Sequence, residues 1–248
     1  AALKSRLPAL VQRIFADPRE RRTIVVVPGL SVDGEVLAKV AGGLHYEERQ
    51  LAMLMLLRLP HTRIVFVSST SIEPSIIDYY LGLLPGVSRE DARRRLVLFS
   101  ADDASPQTLT QKILERPRLL TRIRAAIGDP DIAHLSVFNS TACERTLAVR
   151  LGIPLYGCDP ALLEIGGKSG SRQAFREAGI PLPDGAEDLR DTLDLTAALA
   201  DLKGRNPRLA RAVVKLNHGF SGEGNAVFSF AGCPEDDQQR WVASHLPL

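Results

Sequence analysis

The segment Val213-Val214-Lys215-Leu216-Asn217-His218-Gly219-Phe220-Ser221-Gly222-Glu223-Gly224-Asn225 holds the densest set of residues that could handle a phosphate group. Lys215 stands near the end of a strand-like apolar run and leads into a loop with Gly219, Gly222 and Gly224. Glycine lets the backbone approach a ligand closely and reach positive φ, so successive N–H groups can converge on an anion. The lysine adds a mobile positive charge suited to a phosphate oxygen. The plainer alternative is a hairpin turn, where glycine and serine are common. The glycines crowded behind the lysine favour phosphate binding.

A second candidate is Gly166-Gly167-Lys168-Ser169-Gly170-Ser171-Arg172, at the start of a predicted helix with Ser169 as its expected cap. Backbone donors and the helix dipole favour anions there. Gly-Lys-Ser invites comparison with the P-loop, but G-x-x-x-x-G-K-[ST] needs a glycine where Leu162 stands. Other polar groups are weaker candidates. His45 with Glu47–Arg49 could face a cleft or form a solvated helix end. Asp102 and Asp103 follow a strand end, the edge where open α/β sheets bind ligands. Asn139, Ser140 and Thr141 follow another and read more readily as a helix cap. The histidines show no H-x-x-x-H spacing, and Cys143 reads as core. No catalytic side chain or metal ligand is assigned.

The elements that must position these residues follow from hydrophobic patterning. Thr23–Val27, Arg63–Ser68, Leu96–Ser100, His134–Phe138 and Pro154–Tyr156 read as strands. The first four are rich in Val, Ile, Leu and Phe, as parallel strands buried on both faces require. Helical patterns lie between them, near Tyr46–Leu59, Pro74–Leu84, Ser88–Arg95, Thr110–Ile127 and Thr141–Leu151. Thr141 and Glu144 form a predicted capping box. Alternating strands and helices make βαβ units, so this part is expected to be a doubly wound, mostly parallel α/β layer. Beyond Gly157 the texture changes: a helix over Lys168–Ala178 stopped by Gly179, then Ile180-Pro181-Leu182-Pro183. Next come a helix over Asp188–Lys203 ending at Gly204, and a hairpin from Ala212–Leu216 and Ala226–Phe230. Expected domains are residues 1–165 and 166–248.

The bulk numbers bound the function. The chain has 248 residues, 45% hydrophobic and 24% charged, with 31 basic against 29 acidic side chains and a formal charge of +2. So small an excess argues against a nucleic-acid partner, and the run Arg93-Arg94-Arg95 reads as the solvated end of a helix. Three dispersed cysteines suggest neither zinc nor disulfides and fit a reducing cytoplasm. No stretch has the pattern of a membrane span or a signal peptide. The start at Ala1 and the end at Leu248, just after one helical-looking turn, suggest a fragment.

Two phosphate-facing lysines so arranged resemble the ATP-grasp ligases. One lysine there precedes a small nucleotide-binding subdomain, and a second lies on a strand feeding a glycine-rich flap. Among these the chain is similar to the pheganomycin-type peptide ligase group. The similarity rests on Tyr46-Glu47-Glu48-Arg49, Asp78-Tyr79-Tyr80, Gly152-Ile153-Pro154-Leu155-Tyr156-Gly157, Lys168-Ser169-Gly170-Ser171-Arg172 and the Lys215 segment. The resemblance implies an N-terminal pre-ATP-grasp α/β domain followed by an incomplete ATP-grasp subdomain. It implies that Lys168, Lys215, Gly219, Phe220, Ser221, Gly222, Glu223, Gly224 and Asn225 contact ATP. Magnesium would be held by residues outside this chain. The implied reaction is ATP-dependent joining of a small-molecule carboxylate to an amine, an amino acid or peptide, through an acyl phosphate; such a fragment alone is expected to be inactive. The competing readings are a non-catalytic α/β binding module and a nicotinamide-dependent oxidoreductase. The second is disfavoured because Pro28-Gly29-Leu30-Ser31-Val32-Asp33-Gly34 lacks G-x-G-x-x-G.

Overall fold

The structure, a computed structural model, describes residues 2–31, 37, 42–218 and 224–246. It divides into two compact units, one running to Pro160 and the other beginning at Ala161.

The first unit is built on a five-stranded sheet of order β3-β2-β1-β4-β5. Its strands are β1 (Arg22–Val27), β2 (Thr62–Ser68), β3 (Leu96–Ser100), β4 (Ala133–Val137) and β5 (Leu155–Tyr156). Every pairing is parallel. Alternation along each strand sends side chains to opposite faces. Val25, Val27, Val65, Val67 and Leu135 pack with Leu109, Ile113, Ile123 and Leu147 in one core. Ile24, Val26, Ile64 and Phe66 pack with Leu51, Leu54, Leu57, Ile77 and Leu81 in the other. Helices cover both faces, so all six residues of β1 are buried. Each such apolar side chain contributes roughly 1.5–3 kcal/mol, which is why the strands read as unbroken apolar runs. The layer is doubly wound α/β, as the patterning predicts.

Several local expectations differ. The Thr110–Ile127 pattern is two helices, Leu109–Leu114 and Pro117–Ile127, because Pro117 drives Arg116 out of the helical region, to φ −116 and ψ 83. The stretch Glu47–Arg58 is a 3-10 helix after a short α-helix, Gly43–Tyr46. Its buried Leu51, Leu54 and Leu57 recur every third residue, the period that places them on one face of a three-residue turn. A helix over Ala2–Ala16, with Pro8 inside it, had no counterpart in the sequence reading. Arg95 is not a solvated helix end: it donates to the carbonyls of Leu57, Leu59 and Thr62, at 2.8, 3.1 and 3.1 Å, and to Asp91.

In the second unit β6 (Arg211–Lys215) and β7 (Asn225–Ser229) form an antiparallel pair. One face of the pair, with Ala212, Phe228 and nearby Phe230, packs against Leu199 of helix Thr192–Arg205 and Val242 of helix Gln238–His245. Helix Thr192–Arg205 begins at its Asp191 cap, whose side chain accepts the Asp194 N–H at 2.9 Å, and runs through Gly204 rather than stopping there. Helix Lys168–Glu177 does stop as expected. Gly179 has φ 68, its N–H reaches the Arg176 carbonyl, and the Ile180 N–H reaches that of Phe175.

Candidate phosphate-binding site

Both lysines lie in the second unit. Lys168 is the first residue of its helix, and Lys215 is the last residue of β6, opposite Asn225. Pairing alternates along the hairpin, so Arg211, Val213 and Lys215 line the face away from the Phe228 core, with Ser229, Val227 and Asn225 beside them. Gly224 closes the hairpin: its carbonyl accepts the Leu216 N–H at 2.8 Å and its φ is 72. A Cβ there would lie 2.6 Å from a Leu216 methyl, so both conformation and space require glycine. Gly219, Phe220, Ser221, Gly222 and Glu223 lie outside the described residues.

Asn217 brings the two lysine segments together. Its Oδ1 accepts the Ser169 N–H at 2.9 Å, and its carbonyl accepts the Lys168 N–H at 3.3 Å and Lys168 Nζ at 3.4 Å. The helix start is therefore capped from across the fold. Ser169, the expected cap, is inside the helix instead; the cap position is Gly167, which has no side chain to accept. Gly167 is buried, and a Cβ on it would meet the Asn217 amide and the His218 ring at 3.1 Å. Gly170 is more constrained still, because its Cβ would stand 2.1 Å from the Glu164 carbonyl oxygen. The glycines around Lys168 thus serve close packing. Only the tertiary pairing exposes the role of Asn217, although its position just past Lys215 was a usable clue.

Neither lysine ammonium has a carboxylate partner among the described residues, and the one polar contact of Lys168 Nζ is the long bond to the Asn217 carbonyl. Two cations without a carboxylate partner among the described residues, held on linked segments, suit an anion with several oxygens, such as a polyphosphate. A neighbouring cavity of about 280 Å³, partly lined by Ser169 and Asn217, also presents Glu164, Glu177 and Asp188. Those carboxylates would repel phosphate, which makes the lysine side, rather than the cavity, the candidate. Among the described residues no group of three or more His, Cys, Asp or Glu could hold a metal ion. Likewise no described helix is long and apolar enough to cross a membrane.

Several of the weaker candidates are absorbed by the first unit's own structure. The carboxylate of Glu47 is buried and accepts the Ser69 N–H and Oγ at 2.6 and 2.7 Å. Burial pushes its carboxyl above the usual range, against the lowering by the Ser69 donors and the Lys112 charge. Lys112, also fully buried, donates to Ser69 Oγ at 3.1 Å and to the Asp103 carbonyl at 2.9 Å. Asp103 accepts from Ser105 and pairs with Arg116 at 2.6 Å, contacts that hold its carboxyl down at about 2. Thr141 and Glu144 form the expected capping box, and Asn139 exchanges two hydrogen bonds with the Ser31 backbone, at 2.9 and 2.7 Å. His45 pairs with Glu48 at 2.9 Å.

Comparison with known proteins adds an independent line. Residues 162–239 match a family described as IQCH-like, ATP-grasp. The chain is 29% identical over 177 residues to an L-propargylglycine–L-glutamate ligase of Streptantibioticus cattleyicolor, covering 68% of this chain and 36% of that protein. It is 27% identical over 222 residues to IQ motif-containing protein H of Danio rerio, covering 83% of this chain and 21% of that protein. The chain thus spans about a third and a fifth of the lengths of these relatives. The matched segment contains Lys168, Asn217 and Lys215, and by these similarities the chain is related to the ATP-grasp ligases.

Proposed function

We propose that this chain supplies the N-terminal pre-ATP-grasp domain and the start of the nucleotide-binding domain of an ATP-dependent carboxylate–amine ligase. The observation that carries the reading is the linkage of Lys168 to the Lys215 hairpin through Asn217. Lys168 and Lys215 bind the nucleotide phosphates, and the segment Gly219–Asn225, with Phe220, Ser221, Gly222, Glu223 and Gly224, covers them. The substrates are small, an amino acid or peptide carboxylate and an amine, by analogy with the ligase that joins L-propargylglycine to L-glutamate.

In this reaction a carboxylate oxygen attacks the γ-phosphorus of ATP and the bond to the β-bridging oxygen breaks, giving an acyl phosphate and ADP. The amine then attacks the acyl carbon, phosphate leaves, and the nitrogen loses a proton to water. Magnesium, when bound, neutralises phosphate charge; its oxygen ligands are not furnished by any cluster among the described residues. The lysines steady the phosphates and offset the charge on the departing oxygens, which is most of what phosphoryl transfer asks of a protein.

A second reading, a non-catalytic α/β binding module, draws support from the IQCH-like description of the matched family and from a relative named for a motif rather than an activity. Calorimetric titration with magnesium–ATP separates the two. The ligase reading expects saturable binding that Lys215→Ala weakens about tenfold or more, with an unchanged unfolding transition, since Lys215 is exposed. A folded protein indifferent to ATP, or a variant that binds as well as the parent, favours the module.

A further inference from the structure

The first unit carries a second place suited to a ligand, in which the phosphate site has no part. In the order β3-β2-β1-β4-β5 the connections leaving β1 and β2 pass over one face, and those leaving β3 and β4 over the other. The carboxyl ends of β1 and β4 therefore flank the point where winding reverses, where open α/β sheets leave a crevice.

What lines that crevice is specific. The segment from His45 to Arg49 crosses the carboxyl ends of the strands and is fixed at two points. Glu47 is tied to Ser69 just after β2, and Tyr46 packs edge-on against Phe138 just after β4, with ring centroids 5.6 Å apart. Phe138 keeps 40% of its surface exposed just past β4. Beneath it, the reciprocal bonds between Asn139 and Ser31 lock the two strand ends to each other. The Arg49 guanidinium lies over the Tyr46 ring, 4.1 Å from its centroid. It makes no hydrogen bond or ion pair with any described residue, whereas Arg22, Arg95 and Arg116 of the same unit are each held by several acceptors or by a carboxylate. Among the described residues, the neighbouring carboxylates are engaged elsewhere: Glu47 by Ser69, Glu48 by His45, and Glu144 by Ser31 and Thr141.

A guanidinium stacked on an aromatic ring is orientated while its N–H edge stays free, an arrangement preorganised for bidentate recognition of an oxyanion. One guanidinium matches one negative charge, which favours a carboxylate over a phosphate carrying nearly two at neutral pH. The exposed Phe138 edge offers apolar contact to the rest of such a molecule. We propose that the crevice between β1 and β4 binds a small carboxylate with an apolar body, Arg49 receiving the carboxylate and Tyr46 and Phe138 forming the wall. The proposal stands apart from the ATP reading, which concerns the other unit.

The test compares N-acetyl-phenylalanine with N-acetyl-phenylalaninamide, which share the ring and differ in the charge, by NMR or calorimetric titration of the chain. The acid is expected to bind about tenfold tighter than the amide. Arg49→Gln should erase that difference, and Phe138→Ala should weaken both ligands together. Thermal unfolding of each variant checks its fold; should Arg49→Gln not fold, the acid–amide comparison on the parent chain decides alone. No saturable binding of the acid, equal binding of acid and amide, or an unchanged preference in folded Arg49→Gln overturns the proposal. Magnesium–ATP titration of the same samples reads the phosphate site separately, so either assignment can fail without the other.

Discussion

At the scale of single residues, Asn217 does two jobs that substitutions can separate. Its Oδ1 replaces the missing side-chain cap of helix Lys168–Glu177, and its carbonyl holds the Lys168 segment beside the end of β6. Asn217→Ala strands the Ser169 N–H and is expected to cost about 1 kcal/mol, as loss of a cap does, visible in the unfolding transition. It should also weaken ATP binding, because Lys168 is no longer steadied. Asn217→Asp retains an acceptor and should unfold near the parent temperature, yet bind ATP more weakly, because a carboxylate then faces the phosphates. Equal ATP affinity in all three proteins would show that Asn217 serves stability alone. This residue was present in the sequence motif, but its partner lies across the fold, and a cap contributed from so far along the chain leaves no local signature.

Among elements, the junction of the 3-10 helix Glu47–Arg58, β2 and helix Leu109–Leu114 rests on two buried charges joined through Ser69. Glu47 and Lys112 are 6% and 0% exposed, so deleting Glu47 leaves the buried Lys112 with only the Asp103 charge to compensate it, and deleting Lys112 leaves Glu47 without its cation. Glu47→Ala is expected to destabilise by about 3 kcal/mol in urea unfolding. The pair Glu47→Ala with Lys112→Met should recover part of that loss, since no lone charge remains. A double variant as unstable as the sum of its singles would mean that the cost lies in packing rather than charge. Glu47 read more readily as part of a solvated helix end than as a cleft residue; its burial overturns the solvated reading.

Across the molecule, pH offers a probe of the first unit. His134, on β4, packs edge-on against Tyr156, and its Nδ1 is sealed from solvent without a hydrogen-bond partner among the described residues. Burial, reinforced by the Arg22 charge, depresses its pKa to about 4. The folded protein thus holds His134 neutral while the unfolded chain takes up a proton below the ordinary histidine value of 6.5. Stability should be level above that pH, fall by roughly 3 kcal/mol on acidification toward pH 4, and level again. Asp103 loses its contribution only lower, between 3.8 and about 2, and the raised carboxyl of Glu47 works in the opposite sense. His134→Leu isolates the effect: its stability should be flat where the parent's declines, as followed by urea unfolding at several pH values. Parallel curves for the two proteins would show that His134 is not the titrating group.

What the sequence determined by itself was whatever depends on near neighbours in the chain. The strands β1 and β2 stood out as apolar runs because both faces are covered. The Thr141 cap and the Gly179 stop were readable because their partners lie within one helical turn. The alternation of strand and helix was enough for the doubly wound layer, and the residues around Lys168 and Lys215 were enough for the resemblance to ATP-grasp ligases. The tertiary structure decided everything that rests on distant partners. It bound Lys168 to the Lys215 hairpin through Asn217, buried Glu47, tied the half-buried Arg95 to backbone carbonyls, and stacked Arg49 on Tyr46 at the sheet's open end without a polar partner among the described residues. The physical reason is common to these cases. A side chain's local spacing states what chemistry it is capable of, whereas burial and the satisfaction of its donors and acceptors, set by the fold, state whether that capacity is already spent.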